Sequence, residues 1–153
     1  MHFQKAIEIA KRQVIGYRGL QFLSAWGLTD CYVETRRIQE AMDLHKSLVA
    51  DIGKERMLPN CIIGFTATLK RHNGFGCALE VLDKHLDVIA STWDKDKQEK
   101  AYGMIGDNHR GMYDCNNSIV YYERQLSIAK EIEDLTLEAN ALRGLGYSHR
   151  RIG

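Results

Sequence analysis

The sequence predicts an all-α protein, a right-handed α-solenoid of about seven helices arranged as stacked helix-turn-helix repeats. Three observations lead there. The stretch FTATLKRHNGFGCALEVLDKHLDVI, which starts at Phe65, returns in chemical outline forty residues later as IGDNHRGMYDCNNSIVYYERQLSIA. Within each copy the apolar residues recur three and four apart, the spacing of a helix with one buried face. No segment sustains the period-two alternation that a half-buried strand requires.

The register assigns the elements in order. A forward step of forty carries Phe65 to Ile105 and Leu145, Leu69 to His109 and His149, Cys61 to Ala101 and Ala141, and Leu82 to Tyr122. A backward step of thirty-seven carries Phe65 to Leu28, Leu69 to Tyr32, Ala78 to Ala41 and Leu86 to Val49. A further step of thirty-five places Ala6, Ile7 and Val14 under Ala41, Met42 and Val49. The expected layout over 1–153 is a single repeat domain: a half repeat at 1–17, repeats at about 20–53, 58–93 and 98–134, and a half repeat at 136–153. Helix breaks are expected near residues 18, 35, 55, 73, 95, 114 and 134. Gly53 follows one helix, Pro59 suits a first helical turn, and Asn73 with Gly74 and Asp114 mark turns inside units. In the unit that starts near Gln98, Ala101, Ile105, Gly106, His109 and Met112 form the packing stripe of the first helix. Small residues at Ala101, Gly106 and Ser118 suit helix axes at the close end of the usual separation of about 8–10 Å.

From Ala101 to Gly153 the chain resembles the tetratricopeptide repeat (TPR) family, in its longer variety of roughly forty residues found in Pins-type adaptors, rapsyn-like scaffolds and kinesin light chains. The residues that carry the resemblance are Gly106 with His109, Gly146 with His149, Ser118-Ile119, Tyr122-Glu123, Leu126 and Ile128-Ala129-Lys130-Glu131-Ile132. Upstream, Thr66 and Thr29 stand where the family places a glycine, and Leu82 and His45 where it places an aromatic. The resemblance implies a scaffold or adaptor that binds a peptide segment of another protein.

Composition excludes several other classes. Hydrophobic residues make up 44% of the 153 and charged residues 27%, as in ordinary globular domains. A net charge of +1 argues against nucleic acid as the partner. No apolar run is long enough for membrane insertion, and helical patterning begins at once with no secretory signal, so the expected location is cytoplasmic. Cys31, Cys61, Cys77 and Cys115 form no CxxC pair and no zinc pattern. Cys61 and Cys77 read as packing residues rather than parts of a disulfide framework.

Features that invite sharper readings have plainer ones. His109 and His149 occupy equivalent sites on successive first helices, too far apart to share a metal, and read as core or inter-helix histidines. Asn116-Asn117-Ser118 matches the glycosylation pattern, but Ser118 falls at a buried small position. Trp26 and Trp93 read as anchors of helix interfaces. The run from Asp94 to Lys100 reads as a solvated connector and helix start, lacking the spacing of a calcium loop. No GxSxG, HExxH or phosphate-cradling glycine loop is present. The expectation is no enzyme, no catalytic residue, no metal and no cofactor.

Stacked helix pairs curve, and the first helices line the concave side that such folds use for binding. Opposite the packing stripe lie Lys100, Gly103, Asp107, Arg110 and Gly111, with Asn60, Ile63, Ala67, Lys70 and Arg71 before them and Asn140, Arg143, Tyr147, Arg150 and Arg151 after. The earliest unit contributes Leu23, Trp26, Asp30, Val33 and Glu34. From Asn60 onward this face holds seven cations against the single acid Asp107, so the expected ligand is a peptide with acidic residues. The arginines suit carboxylates, Asn60 and Asn140 the peptide backbone, and Tyr147 an apolar platform. Arg110 and Arg150 are both expected to be exposed. The alternative is a structural module that self-associates through its end faces. Leu142, Leu145, Tyr147 and Ile152 on the last helix suggest a piece of a longer array or an end covered by association. A binding groove should hold unpaired cations, whereas a structural array should pair them with acids of second helices.

Overall fold

The computed structural model describes Lys5 and residues 18–52 and 58–153, and those residues hold eight helices and no strand. They are α1 (Arg18–Glu34), α2 (Ile38–Ile52), α3 (Leu58–Arg71), α4 (Phe75–Asp83), α5 (Leu86–Thr92), α6 (Lys95–Gly111), α7 (Cys115–Glu131) and α8 (Leu135–Ile152). The expected half repeat at 1–17, the breaks near 18 and 55, and Gly53 lie outside the described residues. The chain divides into two compact units, Met1–Thr68 and Leu69–Gly153, with the boundary inside α3.

The backbone repeats in the register read from the side chains. The amide of Arg37 donates to the carbonyl of Tyr32, Gly74 to Leu69 and Asp114 to His109, positions separated by the same steps of thirty-seven and forty. Each closure satisfies a carbonyl that a helix end would otherwise leave open. The residue before each, Arg36, Asn73 and Tyr113, takes a left-handed conformation with φ of 64°, 62° and 63°. Helix starts repeat too: Asp94, Asp114 and Asp134 each cap a helix, accepting from the amides of Lys97, Asn117, and both Thr136 and Leu137. A cap of this type contributes about 1 kcal/mol.

In the first unit α1 packs on α2. Phe65 and His45 are buried and stacked, with ring centroids 4.1 Å apart, so His45 fills the aromatic position of the repeat. Thr29 and Thr66 are buried in the glycine position, their hydroxyls bonded back to the carbonyls of Trp26 and Ile62. Trp26 lies against Gly64, where a Cβ would come within 1.9 Å of the indole. The expected interface anchor is therefore present. Its place on an exposed stripe is not, and Val33 of the same stripe is fully buried. Burial pushes the Cys61 thiol up to about 11, consistent with a packing role.

In the second unit α4 and α5 pack on α6, α6 on α7, and α7 on α8. One expected helix is broken. The ring Nδ1 of His85 lies 2.7 Å from the carbonyl of Val81, the group that His85's own amide would take in a continuous helix. That amide turns instead to Leu82, three residues back, and the chain restarts as α5. Ser118 is buried as expected, its hydroxyl 2.7 Å from that of Ser148 across the α7–α8 contact.

Candidate peptide-binding face

The second unit is organised around Tyr122. A Cβ on Gly106 of α6 would lie 2.9 Å from its ring, and one on Gly144 of α8 would lie 2.6 Å from it. The two glycines thus make a slot one ring thick between α6 and α8. The hydroxyl emerges at the far end, donating to Asp107 Oδ1 at 2.6 Å and accepting from Arg110 Nε at 3.1 Å. Arg110 Nη2 also reaches Asp107 Oδ1 at 3.2 Å, and Lys70 of α3 pairs with Asp107 Oδ2. Burial alone would raise the Asp107 carboxyl, but hydrogen bonds from Lys70 and Tyr122 outweigh it and hold the group below the ordinary 3.8.

Around this hub the arginines turn to aromatic rings. Arg110 and Arg150 lie 5.6 and 5.4 Å from the centroid of Tyr147, and Arg151 lies 4.6 Å from that of Tyr113. Asn140, Arg143, Tyr147, Arg150 and Arg151 form one exposed side of α8. Among the described residues Arg143, Arg150, Arg151 and Lys100 make no ion pair. Arg71 is exposed on α3, and Asn60 is exposed in the first unit.

The expected stripe on α6 needs correction. Gly103 is buried against Gln125, Gly111 is half-buried beneath Phe75, and Met112, assigned to the packing side, is exposed. Arg110, expected to be exposed, keeps 35% of its side-chain surface and is held by Tyr122 and Asp107. The reason is the width of Tyr122 and Gln125, which wrap α6 further round than apolar spacing indicates. His109 stacks on Tyr121 with centroids 5.6 Å apart and bonds Asp114 at 3.1 Å, the inter-helix role expected of it. His149 is exposed. No group of three or more His, Cys, Asp or Glu side chains among the described residues could hold a metal ion. Nor is any described helix long and apolar enough to cross a membrane.

Glu99 escapes a sequence reading altogether. It lies inside a charged run yet is 1% exposed, accepting a 2.6 Å hydrogen bond from Gln125 Nε2 in the space that Gly103 leaves open. Burial pushes its carboxyl above the ordinary 4.5, against the opposing pull of the Gln125 bond. The unfolded chain therefore releases this proton first, and stability should fall as pH rises from 4.5 through the raised folded value. Denaturant midpoints from pH 4 upward should show Glu99→Gln flattening that fall, since an amide has no proton to lose. A variant whose profile runs parallel to the parent would show that Glu99 contributes nothing to it.

No protein-family model matches the chain, and no curated protein does. A solved structure does match, over 98% of this chain, with a TM-score of 0.68 and 21% sequence identity. It is a Signal Transduction ATPase with Numerous Domains protein with a tetratricopeptide repeat sensor, from Pyrococcus horikoshii. The chain has a TPR-like helical repeat fold. This TPR-like chain spans 24% of the length of that protein.

Proposed function

We propose that this chain is a protein-interaction module of the longer, roughly forty-residue TPR variety, and that it binds an acidic peptide segment along α6 and α8. Support comes chiefly from one observation: Arg143, Arg150 and Arg151 share an exposed side of α8 with Tyr147 and have no acidic partner among the described residues. Lys100 adds a cation on α6 that makes no ion pair among the described residues, whereas Lys70 and Arg110 already share Asp107. In this reading the three arginines take carboxylates, the Asn140 amide holds peptide backbone and Tyr147 offers a flat apolar surface. Arg71, exposed on α3, adds to the positive charge of the second unit. The module works in the cytoplasm as an adaptor or scaffold without catalysis, and neither nucleic acid nor a membrane is its partner.

Each exposed ion pair contributes about 0–1 kcal/mol, so affinity must come from several together and must fall as salt screens them. Fluorescence anisotropy with an acidic peptide library at two salt concentrations tests this. Combined Arg143→Glu, Arg150→Glu and Arg151→Glu should weaken binding roughly a hundredfold while lowering the melting temperature by only about a few degrees, through the lost ring contacts of Arg150 and Arg151 and the last-turn charges. Arg110 makes a poorer probe, because reversing it also breaks its bonds to Tyr122 and Asp107. Indifference of binding to both the triple reversal and the salt would rule out this face.

A further inference from the structure

Among the described residues, Arg36, Asn73, Tyr113 and Glu133 are the non-glycine residues that take a left-handed conformation. Only the α3–α4 turn places an amide side chain there, and only there does glycine follow, since Arg37, Asp114 and Asp134 come next in the others. The turn favours both residues. Asparagine enters the left-handed region more readily than most side chains, and a Cβ on Gly74 would stand 3.1 Å from the carbonyl oxygen of Leu69. The pair is also chemically labile. Asn73 is exposed to water, and no side chain on Gly74 hinders the approach of its amide nitrogen to the side-chain carbonyl carbon of Asn73. One contact restrains that nitrogen: its N–H donates to the carbonyl of Leu69 at 2.7 Å. The other five asparagines, Asn60, Asn108, Asn116, Asn117 and Asn140, lie within helices, where the following amide is held in the helical ladder.

We propose that Asn73 is a site of self-modification, converting to aspartate and isoaspartate when the α3–α4 turn opens. Once the Gly74 amide leaves Leu69 and gives its proton to solvent, its nitrogen attacks Cγ of Asn73. A carbon–nitrogen bond forms, the side-chain nitrogen takes up a proton and departs as ammonia, and a cyclic imide remains. Water then adds to either imide carbonyl. Opening on one side restores the ordinary backbone with an aspartate side chain, and opening on the other routes the main chain through the former side chain. Nothing is oxidised or reduced, and water is the only co-reactant. The isoaspartyl product adds one backbone carbon between residues 73 and 74, so the bond from Gly74 to Leu69 that ends α3 cannot re-form as it was. Lys70, the partner of Asp107, lies on that last turn, and its carbonyl accepts from the Asn73 amide at 3.0 Å. Conversion therefore unfastens the end of α3 permanently. The site is separate from the arginine side of α8 and stands whether or not an acidic peptide binds there.

The full chain, incubated at mildly alkaline pH and sampled by peptide mapping with mass spectrometry, tests this beside a free peptide of residues 70–77, in which nothing restrains the Gly74 amide. Asn73 should convert before any other asparagine, and methyl transfer by an isoaspartyl methyltransferase should label the product. Conversion in the folded chain should run roughly tenfold slower than in the peptide, because an exposed turn closed by one hydrogen bond opens at small cost. Mild denaturant should narrow that gap. In the peptide, Gly74→Ala should slow conversion severalfold, as attack by the backbone nitrogen requires and direct hydrolysis by water does not. Asn73→Gly in the chain keeps a residue suited to the left-handed turn and removes the reacting amide. Its melting temperature should hold steady over an incubation in which that of the parent falls by about a few degrees. Asn73 still intact after about ten half-lives of the peptide, or another asparagine converting first, would overturn the proposal. A rate in the chain that denaturant leaves unchanged would overturn the gating by the turn, and equal loss of melting temperature in Asn73→Gly would overturn the structural consequence.

Discussion

Replacing Tyr122 with alanine should destabilise the second unit by about 3–5 kcal/mol, the range for emptying a buried aromatic site. The ring is 2% exposed and fills the slot between Gly106 and Gly144, so its loss leaves a cavity lined on two sides by bare helix backbone. Neither helix has a side chain there to lean into the space. Tyr122→Phe keeps the ring and should cost only about 1–2 kcal/mol, the value of hydroxyl bonds to a carboxylate and a guanidinium. Filling the slot from the other side should also destabilise, because an alanine at Gly144 or Gly106 meets a ring that cannot swing away. Chemical denaturation of the four variants measures the series. A Tyr122→Ala loss below about 1 kcal/mol would mean that α6 and α8 close up without the ring, and the slot would not be a constraint on the fold.

Asp107→Asn should move stability and binding in opposite directions. The carboxylate gathers Lys70, Arg110 and the Tyr122 hydroxyl, and its amide replacement should cost about 1–3 kcal/mol as those donors lose a charged acceptor. It should also raise affinity for acidic peptides by roughly threefold to tenfold, because Lys70 and Arg110 are released and a repelling carboxylate is gone. The folded-state group sits below 3.8, so its stabilisation is fully present above that value and is lost as pH falls through the depressed one. The acid limb of the stability profile should therefore shrink in Asp107→Asn. Peptide titrations at neutral pH and denaturant midpoints between pH 2 and 5 separate the two effects. Unchanged affinity with reduced stability would confine Asp107, Lys70 and Arg110 to a structural part and leave ligand binding to α8 alone.

The repeat itself was legible in the sequence, for a physical reason. Packing one helix pair on the next demands small or apolar residues at fixed intervals, so the small Cys61, Ala101 and Ala141, the small Ala41, Ala78 and Ser118, and the apolar Phe65, Ile105 and Leu145 recur as types and the register can be counted. Turn positions were legible because backbone closure restricts them: Asn73 and Asp114 stand where the chain reverses. The break at His85 was not, because it depends on whether a ring nitrogen or the backbone amide takes one carbonyl. The candidate face was legible only in part. Residue types and spacing identified the side of α8 that carries Arg143, Tyr147, Arg150 and Arg151. Spacing on α6 could not show that Tyr122 and Gln125 wrap round it, bury Gly103 and half-bury Arg110. Nor could it show that Glu99, inside a charged run, faces Gln125 in the core. Apolar periodicity therefore determined which helices exist and which way they broadly face, since that depends on each helix's own sequence. Which cations are neutralised and which remain free was decided by tertiary structure, because Lys70 and Asp107 meet only when helices distant in sequence are brought side by side.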